Sequence, residues 1–283
     1  VVFHRRNPDV SGIWCEGANQ PSSGAFQRVF AADERCIFPA TSTDRRHVEV
    51  VDTSDDEIAT QKLGSGPWAT IESVELSPDG TRVLVVGEPE REQKDVEGRN
   101  PGTIMQVTSP SGEKHFEFTA PPAVEAARFL PGMSDAVLVA AAEDDGKRTR
   151  VSLLPAPAEE TPSTTLDLES AAVAIHVHPG GGYAVLSNGK GEAAALQLSQ
   201  KRGLQPGPTW RDIDDAGVTP DGRFAIVKGT NLHLMSPTSP SRTILRSDAP
   251  SEGWKPVPGS RRMVVWSKTG VSVWSASGEL LEE

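Results

Sequence analysis

Short apolar runs recur along this chain and are separated by clusters of Pro, Gly, Asp and Ser. The runs are rich in Val, Ile, Leu and Phe and have the length of strands. Long windows with apolar residues at positions i, i+3, i+4 and i+7 are missing, so the pattern does not indicate helices. The sequence therefore predicts an all-β protein in which turns interrupt many short strands.

One strand-turn-strand phrase occurs repeatedly. "LSPDGTRVLVV" runs from Leu76 to Val86, and its near-copy "VTPDGRFAIV" runs from Val218 to Val227. In the turn, proline pre-sets its own φ and glycine tolerates a positive φ. The remaining copies are centred on Pro131, Pro179 and Pro258, and successive turn prolines lie 53, 48, 41 and 38 residues apart. A degenerate copy lacks the proline but keeps Phe30 and Ile37 in matching places.

A period of about 40–50 residues is typical of propeller blades. In each copy a second strand follows the turn directly, such as "RVLVV" or "FAIVK", then a third, such as "EAAALQLS", and a weaker fourth, such as "RTILRSD". The nearly continuous apolar character of the second strand indicates cover on both faces. We therefore predict a six-bladed β-propeller of four-stranded antiparallel blades as a single domain over residues 25–283, with seven blades as the alternative. Residues 1–24 are interpreted as an N-terminal segment that supplies an extra strand, plugs one end or closes a blade.

The quoted phrases, together with the terminal "VSVWSASGE", resemble the repeats of WD-repeat-like and TolB-like bacterial propellers. The resemblance covers most of the chain and concerns the fold. The chain departs from true WD repeats because it has no Trp-Asp dipeptide and no Gly-His start, and it departs from TolB because no α/β domain precedes the blades. The resemblance implies a platform for protein partners, without catalytic residues that could be carried over.

Charge and composition narrow the function classes. The chain has 39 acidic and 28 basic residues, which gives a net charge of -11. A negatively charged protein surface repels nucleic acid. The longest apolar run, Ala136 to Ala142, is far shorter than a membrane span, although an anchor outside the chain is compatible with a start at Val1. Cys15 and Cys36 fit either one disulfide or two buried thiols. We expect a periplasmic or extracellular protein, with the cytoplasm as the alternative.

Candidate ligand residues lie three positions before each turn proline. This position holds Glu75, Arg128, His176, Gly217 and Lys255 in successive copies. First strands of blades line a central channel, so these side chains could hold a small polar ligand there. The alternative is that they form salt bridges between blades.

Two further groups of residues carry possible chemistry. His176 and His178 share a strand face and could bind a metal, but His178 stands where sister copies have Ser77 and Thr219 and is expected to cap the turn. Asp212 and Asp214 also share a strand face, and paired carboxylates can act as acid and base or bind calcium, although the residue spacing of a calcium-binding loop is missing. Of the two, Asp214 is the candidate for the channel. Motifs for a serine nucleophile, a phosphate loop or haem attachment are missing. We therefore predict no cofactor, no metal and no catalytic set.

Partner-binding candidates come from tryptophans and from one long loop. Trp68, Trp210 and Trp254 lie near predicted first strands and could form a rim surface. The loop over residues 87–102 contributes Glu90, Arg91 and Lys94. The predicted function is a non-enzymatic scaffold or sensor domain that binds a protein partner. The alternatives are a metal-dependent propeller hydrolase or lyase acting on a lactone or glycan, and a carbohydrate-binding propeller.

Overall fold

The computed structural model confirms an all-β chain. It describes residues 2–6, 9–13, 22–24, 28–29, 37–41, 46–52, 59–62, 68–77, 79–90, 103–109, 113–119, 124–131, 133–143, 148–154, 163–199, 203–239, 242–246, 250–257 and 260–282. The strands are β1 (Val2–Arg6), β2 (Asp9–Ile13), β3 (Ser22–Gly24), β4 (Arg28–Val29), β5 (Ile37–Thr41), β6 (Val48–Asp52), β7 (Ala59–Lys62), β8 (Trp68–Leu76), β9 (Val83–Pro89), β10 (Ile104–Thr108), β11 (Lys114–Thr119), β12 (Val124–Leu130), β13 (Met133–Glu143), β14 (Arg148–Leu154), β15 (Ser163–Leu166), β16 (Ala174–Val177), β17 (Tyr183–Ser187), β18 (Glu192–Ser199), β19 (Gly203–Arg211), β20 (Asp215–Val218), β21 (Phe224–Lys228), β22 (Asn231–Met235), β23 (Arg242–Arg246), β24 (Ser251–Pro256), β25 (Arg262–Ser267), β26 (Val271–Ser275) and β27 (Leu280–Glu282). Within the described part of the chain, no helix has the length and apolar character of a membrane span.

The strands form consecutive four-stranded sheets. Five of them are antiparallel throughout, namely β4–β7, β8–β11, β16–β19, β20–β23 and β24–β27. Strands β12–β15 follow the same order, and β14 pairs antiparallel with β15. Each predicted repeat therefore corresponds to one sheet whose strands are neighbours both in sequence and in space.

In the repeats of β9 and β21 the second strand is buried, as its continuous apolar run predicts, whereas in β25 buried and partly exposed residues alternate. In β9, residues 83–86 are at most 1 % exposed, and in β21 residues 224–227 are at most 4 % exposed. A strand at an outer surface would show alternating exposure instead. Both faces of these sheets are therefore covered by neighbours.

The first of two compact units comprises residues 1–137. Its core joins β6 to sheet β8–β11, where Val48 and Val50 pack with Trp68, Val74 and Val85. Strands β1–β3 pair with each other as a separate three-stranded sheet. The role of this segment in closing a blade stays a prediction, as does the division into residues 1–24 and one domain over 25–283. Cys15 and Cys36 lie outside the described residues.

The second unit comprises residues 138–283, and sheet β20–β23 lies at its centre. One face of this sheet, with Phe224 and Ile226, packs on residues of sheet β16–β19 such as Val185 and Ala195. The opposite face packs on sheet β24–β27 through a second cluster: Ala225, Val227, Leu232, Leu234, Leu245, Trp254, Met263 and Val265. Period-two alternation in β21 and β22 thus supplies two separate cores from one sheet.

The repeated turns are held by one capping position. Ser77 Oγ accepts a hydrogen bond from the N–H of Arg82 at 2.9 Å, and Thr219 Oγ1 accepts one from the N–H of Arg223 at 2.9 Å. His178 occupies the same place, and its Nδ1 accepts a hydrogen bond from the N–H of Gly180 at 2.8 Å. The expectation that His178 caps its turn is confirmed.

Candidate functional site

Two of the predicted channel residues form an ion pair. Arg128 Nη1 lies 3.5 Å from Glu75 Oε2, and the N–H of Phe129 donates to the same oxygen at 3.3 Å. Burial raises the pKa of the Glu75 carboxyl, while Arg128 and the Phe129 N–H act in the opposite direction. The pair joins β8 to β12, the first strands of successive sheets.

His176 and Gly217, the next two members of the series, lie side by side in the second unit. A Cβ added at Gly217 would lie 2.8 Å from Cζ2 of Trp254 and 3.4 Å from the imidazole of His176. Glycine at this position therefore lets one indole and one imidazole approach β20 from two different strands. Trp254 is itself 5 % exposed, so this position is a packing site in the structure.

Lys255, the last member of the series, lies near the carboxylate of Asp215. Burial raises the pKa of the Asp215 carboxyl, and the N–H of Ala216 and the charge of Lys255 oppose that effect. Asp214, the predicted channel residue, is exposed, and its Oδ2 accepts the N–H of Gly229 at 2.6 Å. Asp214 thus holds the turn between β21 and β22.

The three candidate tryptophans differ in burial. Trp68 and Trp254 are 2 % and 5 % exposed and pack in cores, whereas Trp210 is half-buried. Trp210 lies on β19, the fourth strand of its sheet, shortly before the first strand β20 that the sequence analysis placed near it. The hypothesis of a tryptophan surface therefore narrows to Trp210.

The long loop is described only at its beginning. Glu90 forms an ion pair with Arg46. Arg91 and Lys94 lie outside the described residues.

Trp210 lines a groove of about 340 Å³ between β19 and sheet β20–β23. The apolar lining comes from Trp210, Ile213, Ile226 and Met235. The indole of Trp210 meets the ring of Phe224 edge-on, with centroids 5.7 Å apart. This contact fixes the indole, because edge-to-face aromatic pairs contribute about 0.5–1.5 kcal/mol beyond their buried area.

The rim of the groove is cationic. Its charged lining residues are Arg211, Lys228 and Arg242, together with the titratable His233, and no carboxylate lines it among the described residues. Arg242 Nε donates to His233 Nδ1 at 3.0 Å. The pKa of His233 is lowered, first by burial and then by the charges of Arg242 and Lys228. The groove is therefore a local positive region on an acidic protein.

The three groove cations differ in their partners. Arg211 Nε lies 3.2 Å from the buried carboxylate of Glu192, which neutralises it in part. Among the described residues, neither Lys228 nor Arg242 forms an ion pair with a carboxylate. Two positive charges thus remain available at the groove.

A second groove, of about 410 Å³, lies beside the last sheet. It is lined by Trp266, Trp274 and Arg246 together with hydroxyl groups of the β25–β26 hairpin. These hydroxyls bond within the hairpin, since Ser267 Oγ and Thr269 Oγ1 lie 3.0 Å apart. Trp274 Nε1 donates to Ser272 Oγ at 2.8 Å. This groove offers fewer charges than the groove at Trp210.

Within the residues that the structure describes, His, Cys, Asp and Glu form no group of three or more with the geometry of a metal site. His176 is exposed on β16, and His178 uses Nδ1 for the turn. The structure therefore does not bring the two histidines together with a third ligand in this part of the chain.

Comparison with known proteins supports the fold. The sequence matches no protein-family model and no curated protein. The structure is similar to the crystal structure of a functionally unknown protein from Desulfotomaculum acetoxidans, with a TM-score of 0.62 over 96 % of this chain and 90 % of that chain. The two sequences are 11 % identical, so this likeness concerns the fold alone.

Sequence reasoning missed most of the groove. Phe224, Ile226 and Lys228 alternate along β21, and His233 and Met235 alternate along β22, so they share one face. That alternation was the available signal. It did not identify a site because the opposite wall, β19, was not predicted as a strand.

Proposed function

We propose that this chain is a non-enzymatic six-bladed β-propeller that binds a protein partner, and that the groove at Trp210 is the binding site. The observation that carries the proposal is a fixed, half-buried indole beside apolar residues and beside two cations, Lys228 and Arg242, that have no carboxylate partner among the described residues. Aromatic residues, Met and Arg are enriched in protein interfaces, and hot spots combine a desolvated centre with a polar rim. The groove has that composition.

The propeller assignment is supported by the succession of four-stranded sheets in chain order and by the packing of sheet β20–β23 on both of its faces. Propeller blades have this topology. The WD-repeat-like and TolB-like resemblance fits the same assignment. Six sheets of four strands give six blades, and β1–β3 supply the additional N-terminal segment.

The binding function is tested by selection from a random-peptide phage library. We expect the wild-type chain to enrich a sequence motif that the Trp210→Ala variant does not enrich. Trp266→Ala is the matched control, since it removes an indole from the other groove. Failure to enrich any motif, or enrichment of the same motif by the Trp210→Ala variant, would exclude the groove as a partner site. A circular-dichroism melt of each variant verifies that it is folded.

An exported location is part of the proposal and depends on the cysteine pair. A disulfide between Cys15 and Cys36 is consistent with an oxidising compartment. Thiol titration of the denatured, unreduced protein is expected to find no free thiol. Two titratable thiols would favour the cytoplasmic alternative.

A further inference from the structure

The groove at Trp210 combines two features that select a ligand class. Its charged lining is entirely basic among the described residues, although the protein as a whole carries a net charge of -11. A cationic site on an anionic surface does not arise from the average composition. Its ligand must therefore supply negative charge, because pairing like charges at an interface is costly.

The ligand must also supply an apolar group. Ile213 and Ile226 are 8 % and 3 % exposed and form the floor, while Met235 and Trp210 are only partly buried. Met is flexible and polarisable, so it adapts to different apolar side chains. Ile244, which pairs with His233 on the same sheet face, is 46 % exposed and extends the apolar surface outward.

We infer that the groove binds an acidic peptide segment, in which an apolar side chain enters between Trp210 and Met235 and flanking carboxylates pair with Lys228 and Arg242. This inference rests on the proposed function and names the chemistry of its partner. The guanidinium of Arg242 donates to His233 through Nε and has further N–H donors on Nη1 and Nη2 that suit a carboxylate, and Lys228 offers a point charge.

A peptide fits better than an acidic sugar because the floor is aliphatic. Sugar sites need hydrogen-bonding groups around the ring, whereas the described lining offers Thr209 as its one hydroxyl side chain. The peptide is bound through its side chains and not by extending the sheet. Pro206 and Pro208 on β19 have no N–H to donate to an added strand.

The test measures the binding of a labelled peptide, acetyl-Glu-Asp-Leu-Phe-Asp-Glu-amide, by fluorescence anisotropy. The control peptide has Gln and Asn in place of Glu and Asp. We expect the acidic peptide to bind at least about tenfold more tightly than the neutral one at low salt, and less tightly as salt is added. A double variant, Lys228→Glu with Arg242→Glu, is expected to lose this preference.

The matched control is Arg261→Glu with Lys268→Glu, which makes the same change of charge at exposed residues outside the groove lining. It is expected to bind the acidic peptide within about threefold of wild type. A peptide with Lys in place of Glu and Asp is expected to bind the groove variant better than wild type. That exchange of preference cannot result from unfolding of the variant.

Four results would overturn the inference. Equal binding of the acidic and neutral peptides would show that the groove does not recognise the charge of its ligand. Equal loss in the groove and control variants would show only a general charge effect. Displacement of the peptide by oligogalacturonate at lower concentration than by unlabelled peptide would assign the site to an acidic glycan. A Trp210-dependent phage motif without acidic residues would leave the proposed function standing and remove this inference alone.

Discussion

The carboxylate of Glu75 on β8 lies 3.5 Å from the guanidinium of Arg128 on β12, and both residues stand three positions before their turns. Equivalent positions of successive repeats therefore meet as a charge pair. The series Glu75, Arg128, His176, Gly217 and Lys255 was predicted either to hold a ligand or to form bridges. At its first two members the structure shows a bridge.

Arg128→Met is expected to lower the free energy of unfolding by about 1 kcal/mol at neutral pH, because it leaves the half-buried Glu75 carboxylate without its counter-charge. The cost should be smaller in a Glu75→Gln background, where no charge remains to be paired. Urea unfolding of the four proteins measures this coupling. Equal costs in both backgrounds would mean that the ion pair contributes nothing.

The Glu75 carboxyl should also make the stability of the protein depend on pH. Because burial raises the pKa of Glu75 above its ordinary value of 4.5, the folded state binds this proton more readily than the unfolded state. The stability of wild type relative to Glu75→Gln should therefore rise as pH falls from neutrality toward 4.5. A relative stability that falls on acidification would contradict the direction of the shift.

His178 should make the second unit sensitive to acid. Its Nδ1 accepts a hydrogen bond, and burial lowers its pKa below 6.5, against the opposing charge of Asp221. The stabilisation of the folded state by the neutral His178 ring is therefore fully present above pH 6.5 and is lost as the pH falls through the folded-state pKa. His178→Ser, which restores the side chain found at Ser77, should remove this pH dependence and keep the cap. His178→Ala should cost about 1 kcal/mol at neutral pH.

Gly217→Ala tests the close approach of Trp254. The added Cβ would lie 2.8 Å from the indole, so Trp254 or β20 must shift. We expect a loss of about 1–3 kcal/mol in unfolding free energy. Gly182→Ala serves as the control, since nothing lies within 4 Å of its Cβ position, and it should be neutral or slightly stabilising.

Glu192 should be more important for stability than its exposed neighbour Glu169. Its side chain is 6 % exposed, and its Oε2 accepts from the Glu169 N–H and from the Asn188 amide at 2.6 and 2.9 Å. Glu192→Ala leaves these two donors without their acceptor and removes the nearer of the two carboxylates at Arg211, so we expect a cost of about 2–4 kcal/mol. Glu169→Ala removes a side chain that is 76 % exposed and should cost less than about 0.5 kcal/mol. Thermal melts compare the two; a similar loss for both would contradict this ranking.

The strands and turns could be predicted because their signals are local. The run from Phe224 to Val227 is apolar throughout, and the Pro220–Gly222 turn precedes it, so β21 follows from neighbouring residues alone. His178 could be recognised as a turn cap because its position aligns with Ser77 and Thr219. These features depend on a few consecutive residues.

The groove could not be predicted because it depends on two sheets at once. Lys228 and Arg242 share a face only through the pairing of β21, β22 and β23, and Trp210 reaches them from a different sheet. The strand that forms the opposite wall, β19, could not be predicted because Pro206 and Pro208 argue against a strand there. Trp210 was identified for its residue type and its position near a first strand, and the strand β19 that carries it was not predicted.

The two prolines of β19 also have a consequence for the behaviour of the protein in concentrated solution. Residues 205–209 are exposed on the outermost strand of their sheet. Such an edge can template the strands of other molecules and so begin the growth of fibrils. Because Pro206 and Pro208 each lack a backbone N–H donor, this edge strand is a poor template. Replacing both prolines with Val would therefore create an edge strand that promotes aggregation.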